Sequence, residues 1–216
     1  MTDTFSNMLY ATPTGTRQNN CYAYALDMYR NSGDEKMQPG DIARAAGTLG
    51  GKEMSLRNCD DLVAMAMADA AAGGYDLRHM GTTSSAPCPA GAYKIMVFLD
   101  PGDDYHWYRQ HKDVLYRVET PRSLKRIAAE FGVPLKNVSG GGSGEHARKG
   151  DVVLVRDAYV WSHKQGFSPD GPLLRDACGK FIKDPAAACR DYGSLNYKVP
   201  CGTFCYTKNK PPRTKK

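Results

Sequence analysis

The spacing of apolar residues predicts two helices in the first third of the chain. After Asn20, a good N-cap residue, apolar side chains recur at helical spacing until Gly33. This pattern places Cys21 at the first position of a helix. A second and stronger helical pattern follows Ser55, a predicted N-cap, and ends at the glycine pair 73–74.

Three later segments have the apolar pattern of β-strands. Residues 93–99 and 104–109 predict two strands joined by a tight turn. Side chains alternate between the two faces of a strand, so we expect His106 on the face opposite to Tyr105 and Trp107. Residues 159–164 predict a further strand, which carries His163.

Residues 114–156 have a strand–helix–helix–strand pattern of their own. A short strand leads to Thr120, a predicted N-cap, and apolar residues at helical spacing then continue to Gly132. Residues 134–138 predict a second helical turn, and residues 149–155 contain the closing strand.

This segment resembles a LysM module. The residues that match are Tyr116, Val118, Ser123, Leu124, Ile127, Ala128, Phe131–Val133, Lys149–Asp151, Val153 and Val155. In that family the two strands pair side by side, so the ends of the module emerge together and can be inserted into a hairpin loop. The resemblance implies binding of N-acetylglucosamine polymers, such as peptidoglycan or chitin, by residues 114–156.

Composition limits the architecture. With 216 residues, 41% of them hydrophobic, the chain can bury one substantial core and a small second unit. No apolar run approaches the ~18 residues of a membrane span. The polar first residues lack the layout of a secretory signal, which favours a reducing compartment or a virus particle over classical secretion.

The last nine residues, 208–216, contain five basic residues and two prolines without an apolar side chain. Such a tail is typical of a solvated, disordered end. The alternative is a basic arm that binds an acidic protein partner or a nucleic acid.

Seven cysteines are an odd number, so an intramolecular disulfide framework cannot use all of them. Without a recognisable signal sequence, we expect reduced thiols. Four cysteines lie close together near the C-terminus, at positions 178, 189, 201 and 205. Buried thiols or late-formed disulfides are more typical of this spacing than structural zinc, because only the pair at 201 and 205 has a common ligand spacing. We therefore predict neither a metal nor a cofactor.

Cys21 is the first candidate for chemistry. At a helix N-terminus, free backbone N–H groups and the positive end of the helix favour a thiolate. The position predicts a pKa near or below neutrality, against about 8.5 for a free thiol. The alternative is a small buried cysteine that packs the start of the helix.

Without residues 114–156, the chain is a helix that begins with Cys21, followed by strands that carry His106 and His163. This arrangement resembles the NlpC-type cysteine peptidases, a papain-like group of cell-wall hydrolases. The resemblance implies that Cys21 is the nucleophile, His106 the base and His163 the group that orients it. The turn at residues 38–41 also resembles a turn common in that family.

The chemistry explains these residue types. A thiolate attacks a carbonyl carbon, an imidazole protonates the leaving amine, and a third group sets the tautomer of the imidazole. The oxyanion needs donors, for which the Cys21 backbone N–H and the side chain of Gln18 or Tyr22 are the candidates. Asp104 is an alternative orienting group for His106, with His163 then contacting the substrate.

The predicted fold is therefore α+β. A papain-like core of residues 1–113 and 157–207 packs a helix with an N-terminal cysteine on an antiparallel sheet, and residues 114–156 form a small βααβ insertion. The predicted function is hydrolysis of peptide or amide bonds, with peptidoglycan as the implied substrate. The alternative is a structural protein of a virus particle or matrix that retains the fold without catalysis.

Overall fold

The computed structural model describes residues 4–5, 9–31, 35–83, 85–142, 144–166 and 171–208. It is an α+β structure with a mostly antiparallel sheet and few helices, which confirms the predicted class. The helices are α1 (Pro13–Gln18), α2 (Cys21–Ala25), α3 (Asp41–Ala45), α4 (Cys59–Gly73) and α5 (Leu124–Phe131), with a 3-10 helix at Leu135–Asn137. The strands are β1 (Thr4–Phe5), β2 (Asp76–His79), β3 (Tyr93–Asp100), β4 (Asp104–His111), β5 (Asp113–Arg117), β6 (Arg122–Ser123), β7 (Val138–Gly140), β8 (His146–Ala147), β9 (Val152–Val155), β10 (Val160–Lys164), β11 (Pro172–Leu173) and β12 (Val199–Thr207).

A six-stranded antiparallel sheet forms the centre of the fold. Its strand order is β11-β10-β4-β3-β12-β2. The predicted hairpin is confirmed as β3 and β4, and the later predicted strand as β10. Strands β4 and β10 are direct neighbours although residues 114–156 lie between them in sequence.

The two faces of this sheet are covered differently. On one face, α2 and α4 pack against apolar side chains that include Val97, Tyr105 and Trp107. The opposite face carries Tyr108 and Trp161, and it is covered by an irregular segment, residues 174–198, which we call the wrap. The alternation predicted for β4 is therefore confirmed: Trp107 faces the helices, and Tyr108 faces the wrap.

Helix α2 begins where the sequence predicts. The side chain of Asn20 accepts a hydrogen bond from the backbone N–H of Ala23 at 3.0 Å, which is an N-cap contact. The helix ends after only five residues, since the chain turns at Asp27 with a φ of 53°. The predicted continuation of the helix to Gly33 is therefore wrong, because the described residues 26–31 are not helical.

Helix α4 is capped by Asn58, whose side chain accepts from the backbone N–H of Asp61, so the prediction of Ser55 as N-cap is wrong. The predicted end is confirmed. Gly74 adopts the left-handed conformation at the C-cap, with a φ of 66°, where glycine carries no Cβ penalty.

Residues 114–156 contain a second sheet, in which β5 pairs antiparallel with β9. Helix α5 packs on it, and its N-cap is Ser123 rather than the predicted Thr120. The difference arises because residues 122–123 first pair with β8, which delays the start of the helix. The predicted second helical turn is present as the 3-10 helix.

The core of this unit is shared with the rest of the chain. Ile127, Phe131 and Val153 pack together, but Phe5 of β1 and Leu174 of the wrap belong to the same cluster. Strand β1 also pairs in parallel with β5. The unit is therefore integrated with its surroundings more closely than the predicted boundary at 114–156 implies.

Six of the seven cysteines form disulfides, so the expectation of reduced thiols is wrong. Cys59–Cys201 joins α4 to β12, Cys88–Cys205 joins a loop to β12, and Cys178–Cys189 closes a loop of the wrap. Sequence alone does not reveal pairing partners that lie 142 and 117 residues apart. Cys21 is the free cysteine.

The described helices include none with both the length and the apolar character that a membrane crossing needs.

A buried carboxylate connects the start of α2 to α3. Asp69, on α4, accepts hydrogen bonds from the Tyr22 hydroxyl at 2.9 Å and from the backbone N–H groups of Gly40 and Ala43 at 2.7 and 2.9 Å. It is fully buried, so it has no water to replace a lost partner. These hydrogen bonds hold the turn before α3 next to Tyr22, the residue that follows Cys21.

We predict that Asp69→Ala lowers the free energy of unfolding by at least about 2 kcal/mol, because it leaves buried donors without an acceptor. Urea unfolding measures the loss. Asp60→Ala, an exposed change in the first turn of the same helix, is the control and should shift the free energy by no more than about 1 kcal/mol. Equal effects of the two changes would contradict this role for Asp69.

We also predict that the unfolded, unreduced protein takes up a single equivalent of iodoacetamide, at Cys21, because the other six cysteines are paired. Peptide mass spectrometry with and without prior reduction measures this. A second labelled cysteine before reduction would show that one of the three disulfides is wrong.

Candidate active site

A cleft of about 330 Å³ opens at the N-terminus of α2. It is lined by Cys21 from α2, His106 from β4 and Gln38 from the turn before α3. The wrap contributes one wall, with Tyr192 and Tyr197. The fold thus brings the predicted nucleophile and the predicted base to one cavity.

Cys21 lies against the backbone of β4. Its Sγ is 3.8 Å from the carbonyl oxygen of Tyr105, the residue before His106. Asn20 holds the start of α2 in this place, because its amide nitrogen donates to the carbonyl oxygen of Met37 at 2.7 Å while its oxygen caps the helix. Within the described residues, the hydrogen bond of the thiol runs to this carbonyl and not to an imidazole nitrogen.

His106 and His163 are directly hydrogen-bonded. His106 Nε2 lies 2.7 Å from His163 Nδ1, and His163 Nε2 lies 2.9 Å from the carbonyl oxygen of Arg175. A carbonyl oxygen only accepts, so the proton of a neutral His163 is on Nε2 and its Nδ1 accepts. His106 therefore donates from Nε2, which leaves the lone pair of its neutral ring on Nδ1.

Burial keeps both rings neutral. It lowers the pKa of His163 from 6.5 to about 4, and it holds the pKa of His106 well below the usual range. The charge of Lys164 further disfavours a protonated His106. A neutral His106 with a lone pair on Nδ1 is a base, and His163 has the contact that an orienting group needs.

The prediction of a thiolate at Cys21 is wrong for the resting protein. Burial, with a smaller contribution from the nearby carboxylate of Asp104, raises the pKa of the thiol from 9.0 to about 12. The thiol is only 5% exposed, whereas α2 has five residues and so a small dipole. The effect of desolvation on the pKa of the thiol therefore outweighs the effect of the helix N-terminus, and Cys21 is a neutral thiol at neutral pH.

Neither predicted side-chain donor for the oxyanion reaches the cleft. The hydroxyl of Tyr22 is buried and donates to Asp69, on the other side of α2. Gln18, the last residue of α1, is not among the residues that line the cleft. Of the predicted donors, the backbone N–H of Cys21 is the one at the cleft.

Gln38 is a cleft residue that was not predicted as part of the site. Its side-chain oxygen accepts from the hydroxyl of Tyr105, and its amide nitrogen donates to the carbonyl oxygen of Lys36 at 3.2 Å. The sequence feature that could have indicated Gln38 is the turn at residues 38–41. The turn pattern alone gives no role to the Gln38 side chain.

Tyr197 is a second residue that sequence reasoning missed. Its ring stacks on His106, with ring centroids 5.0 Å apart and an angle of 29° between the planes. Its hydroxyl donates to Asp104 Oδ2 at 2.8 Å. The alternative in which Asp104 orients His106 is therefore not supported, because the carboxylate is occupied by Tyr197 and by the backbone N–H of Tyr105.

The described part of the chain contains no group of three or more histidine, cysteine and acidic side chains arranged to hold a metal ion. The four C-terminal cysteines considered for zinc are all engaged in disulfides.

We predict that the protein loses stability between pH 6.5 and pH 4 through His163. Its folded pKa is lowered to about 4, so in this window the unfolded chain binds a proton that the folded protein does not. The loss on acidification is about 3 kcal/mol for this residue, and it is absent above pH 6.5.

Urea unfolding across this pH range measures the effect, and the readout is the slope of the unfolding free energy against pH. The slope should be smaller in His163→Gln than in the wild type, and unchanged in the exposed control His146→Gln. A wild-type slope in His163→Gln would show that His163 titrates normally.

Comparisons of the chain with protein-family models, with curated proteins and with solved structures found no match. The resemblances to NlpC-type peptidases and to LysM modules therefore rest on the sequence motifs described above.

Proposed function

We propose that the protein is a thiol hydrolase of peptide or amide bonds, in which Cys21 is the nucleophile, His106 the base and His163 the orienting residue. The observation that carries the proposal is the chain of hydrogen bonds from the Arg175 carbonyl through His163 to His106. This chain leaves a basic Nδ1 on a histidine that lines the same cleft as the free thiol.

The proposed reaction starts from neutral groups. His106 Nδ1 takes the proton of Cys21 as the sulfur attacks the carbonyl carbon, so that thiolate and imidazolium form together. The imidazolium then gives this proton to the leaving amine, and water hydrolyses the thioester with His106 again as the base. His163 continues to accept from His106 Nε2 throughout, so the ring keeps its orientation.

The backbone N–H of Cys21 is the proposed first donor to the oxyanion. It belongs to the first residue of α2 and has no acceptor within the helix. Loss of one oxyanion donor typically costs about 3 kcal/mol of transition-state stabilisation.

Peptidoglycan-like peptides are the proposed substrate class. This part of the proposal rests on the two resemblances, since NlpC-type peptidases act on cell walls and LysM modules bind N-acetylglucosamine polymers. Residues 114–156 connect β4 and β10, the strands that carry the two histidines. In this proposal the unit binds the glycan and the cleft receives the peptide.

The second candidate is a structural protein that keeps the fold without catalysis. The observation that favours it is the state of the thiol, which is 5% exposed and has a pKa raised by burial. The basic tail would then bind an acidic protein partner or a nucleic acid. All of the tail except Lys208 lies outside the described residues.

We predict that a peptidyl vinyl sulfone modifies Cys21 of the folded protein. His106→Ala should slow the reaction by about a hundredfold or more, because the base that accepts the thiol proton is lost. The exposed control His146→Ala should react at the wild-type rate. Mass spectrometry of the intact protein gives the rates.

A Cys21 that stays unmodified in the folded protein and reacts only after unfolding would contradict the hydrolase and favour the structural role. Circular dichroism of each variant shows whether the fold is retained.

A further inference from the structure

Lys164 is a fully buried cation at the end of β10, directly after His163. Its ammonium donates to the carbonyl oxygens of Thr16 and Gln165 at 3.2 and 3.1 Å. Among the described residues, no carboxylate forms an ion pair with it. A buried lysine without a negative partner is costly, so a role for its charge has to be sought.

The alternation of β10 places this charge on the same side of the sheet as Cys21. His163 faces the wrap, where it bonds His106, so Lys164 faces the helices. Ser162, two residues earlier and on the same face as Lys164, contacts the hydroxyl of Tyr24 in α2. The ammonium therefore lies against α1, on the face of the sheet that α2 covers.

The charges around Cys21 have opposite effects on a thiolate. Asp104, at the start of β4, disfavours it, whereas Lys164 favours it. Lys36, whose ammonium donates to the carbonyl oxygen of Gly166 beside the cleft, is also coupled electrostatically to Cys21. His106 is neutral at rest and becomes positive only after it takes the thiol proton.

We propose that Lys164 is a positioning residue of this site, whose buried ammonium stabilises the negative charge that forms on Cys21 Sγ when the thiol loses its proton. The inference rests on the proposed thiol chemistry. It adds a fixed positive charge to the set Cys21, His106 and His163, from the face of β10 opposite to the one that carries His163.

The proton balance is simple. The thiol proton moves from Cys21 Sγ to His106 Nδ1, and Lys164 neither gives nor takes a proton. Its own protons are directed at two carbonyl oxygens, which can only accept them. Burial lowers the pKa of Lys164 to about 8, so its support for the thiolate should weaken above that pH.

The test compares alkylation of Cys21 by iodoacetate, an anion, with alkylation by neutral iodoacetamide. The ratio of the two rate constants reports the local charge, whereas a general loss of structure changes both rates together. Lys164→Met should lower this ratio by about tenfold, a modest effect for one unit charge at short range. Lys164→Arg, which keeps the charge, should restore most of the ratio.

Lys112→Met is the matched control, because Lys112 is exposed and paired with Asp157 away from the cleft. The ratio of the iodoacetate to the iodoacetamide rate constant should be the same in Lys112→Met as in the wild type. A wild-type ratio in Lys164→Met would overturn the inference while leaving the proposed hydrolase intact. A folded wild-type protein that reacts with neither reagent would instead contradict the hydrolase itself.

A second measurement uses the wild-type side chain and does not depend on folding of the variants. Carbon-13 NMR of the lysine Cε groups follows the titration of Lys164 after Cys21 has been alkylated. The pKa of Lys164 should be higher in the carboxymethyl adduct, which carries a negative charge, than in the neutral carbamidomethyl adduct. Equal pKa values in the two adducts would show that Lys164 does not sense charge at Cys21.

Discussion

The arrangement of the site depends on the antiparallel register of β4 and β10. His163 pairs with Tyr108, so His106 is its diagonal neighbour on the same face, within reach of an aromatic side chain. A slip of one residue would turn His106 to the helix face and break the 2.7 Å contact between the rings. The same register directs Lys164 to the other face, toward α2.

Desolvation then sets the charge state of the four groups of the proposed site. It raises the pKa of Cys21 and lowers those of His106, His163 and Lys164. The thiol and both imidazoles are thus neutral at rest, and Lys164 is the buried group that remains charged at neutral pH. The resting site therefore contains no thiolate–imidazolium ion pair. Its reactivity depends on the distance and orientation of the thiol and the imidazole between which the proton moves.

Much of this was predictable from local pattern. The alternation in residues 104–109 and 159–164 was sufficient to place His106 and His163 on strands, and Asn20 identified the start of the Cys21 helix. The α+β class followed from the same elements. The partners of Cys201 and Cys205 were not predictable, because they lie 142 and 117 residues away in sequence. The stacking of Tyr197 on His106 was not predictable either, because the wrap has no periodic pattern. The pKa of Cys21 was predicted in the wrong direction, since helix length and burial depend on the tertiary structure.

The central claim is that His106 takes the proton of a neutral Cys21 as the sulfur reacts. The rate of Cys21 alkylation in H2O and in D2O tests it most directly, because a reaction with proton transfer in its rate-limiting step slows in D2O. The account predicts slower alkylation in D2O for the wild type at neutral pH, and no such difference in His106→Ala. Equal wild-type rates in the two solvents would contradict it.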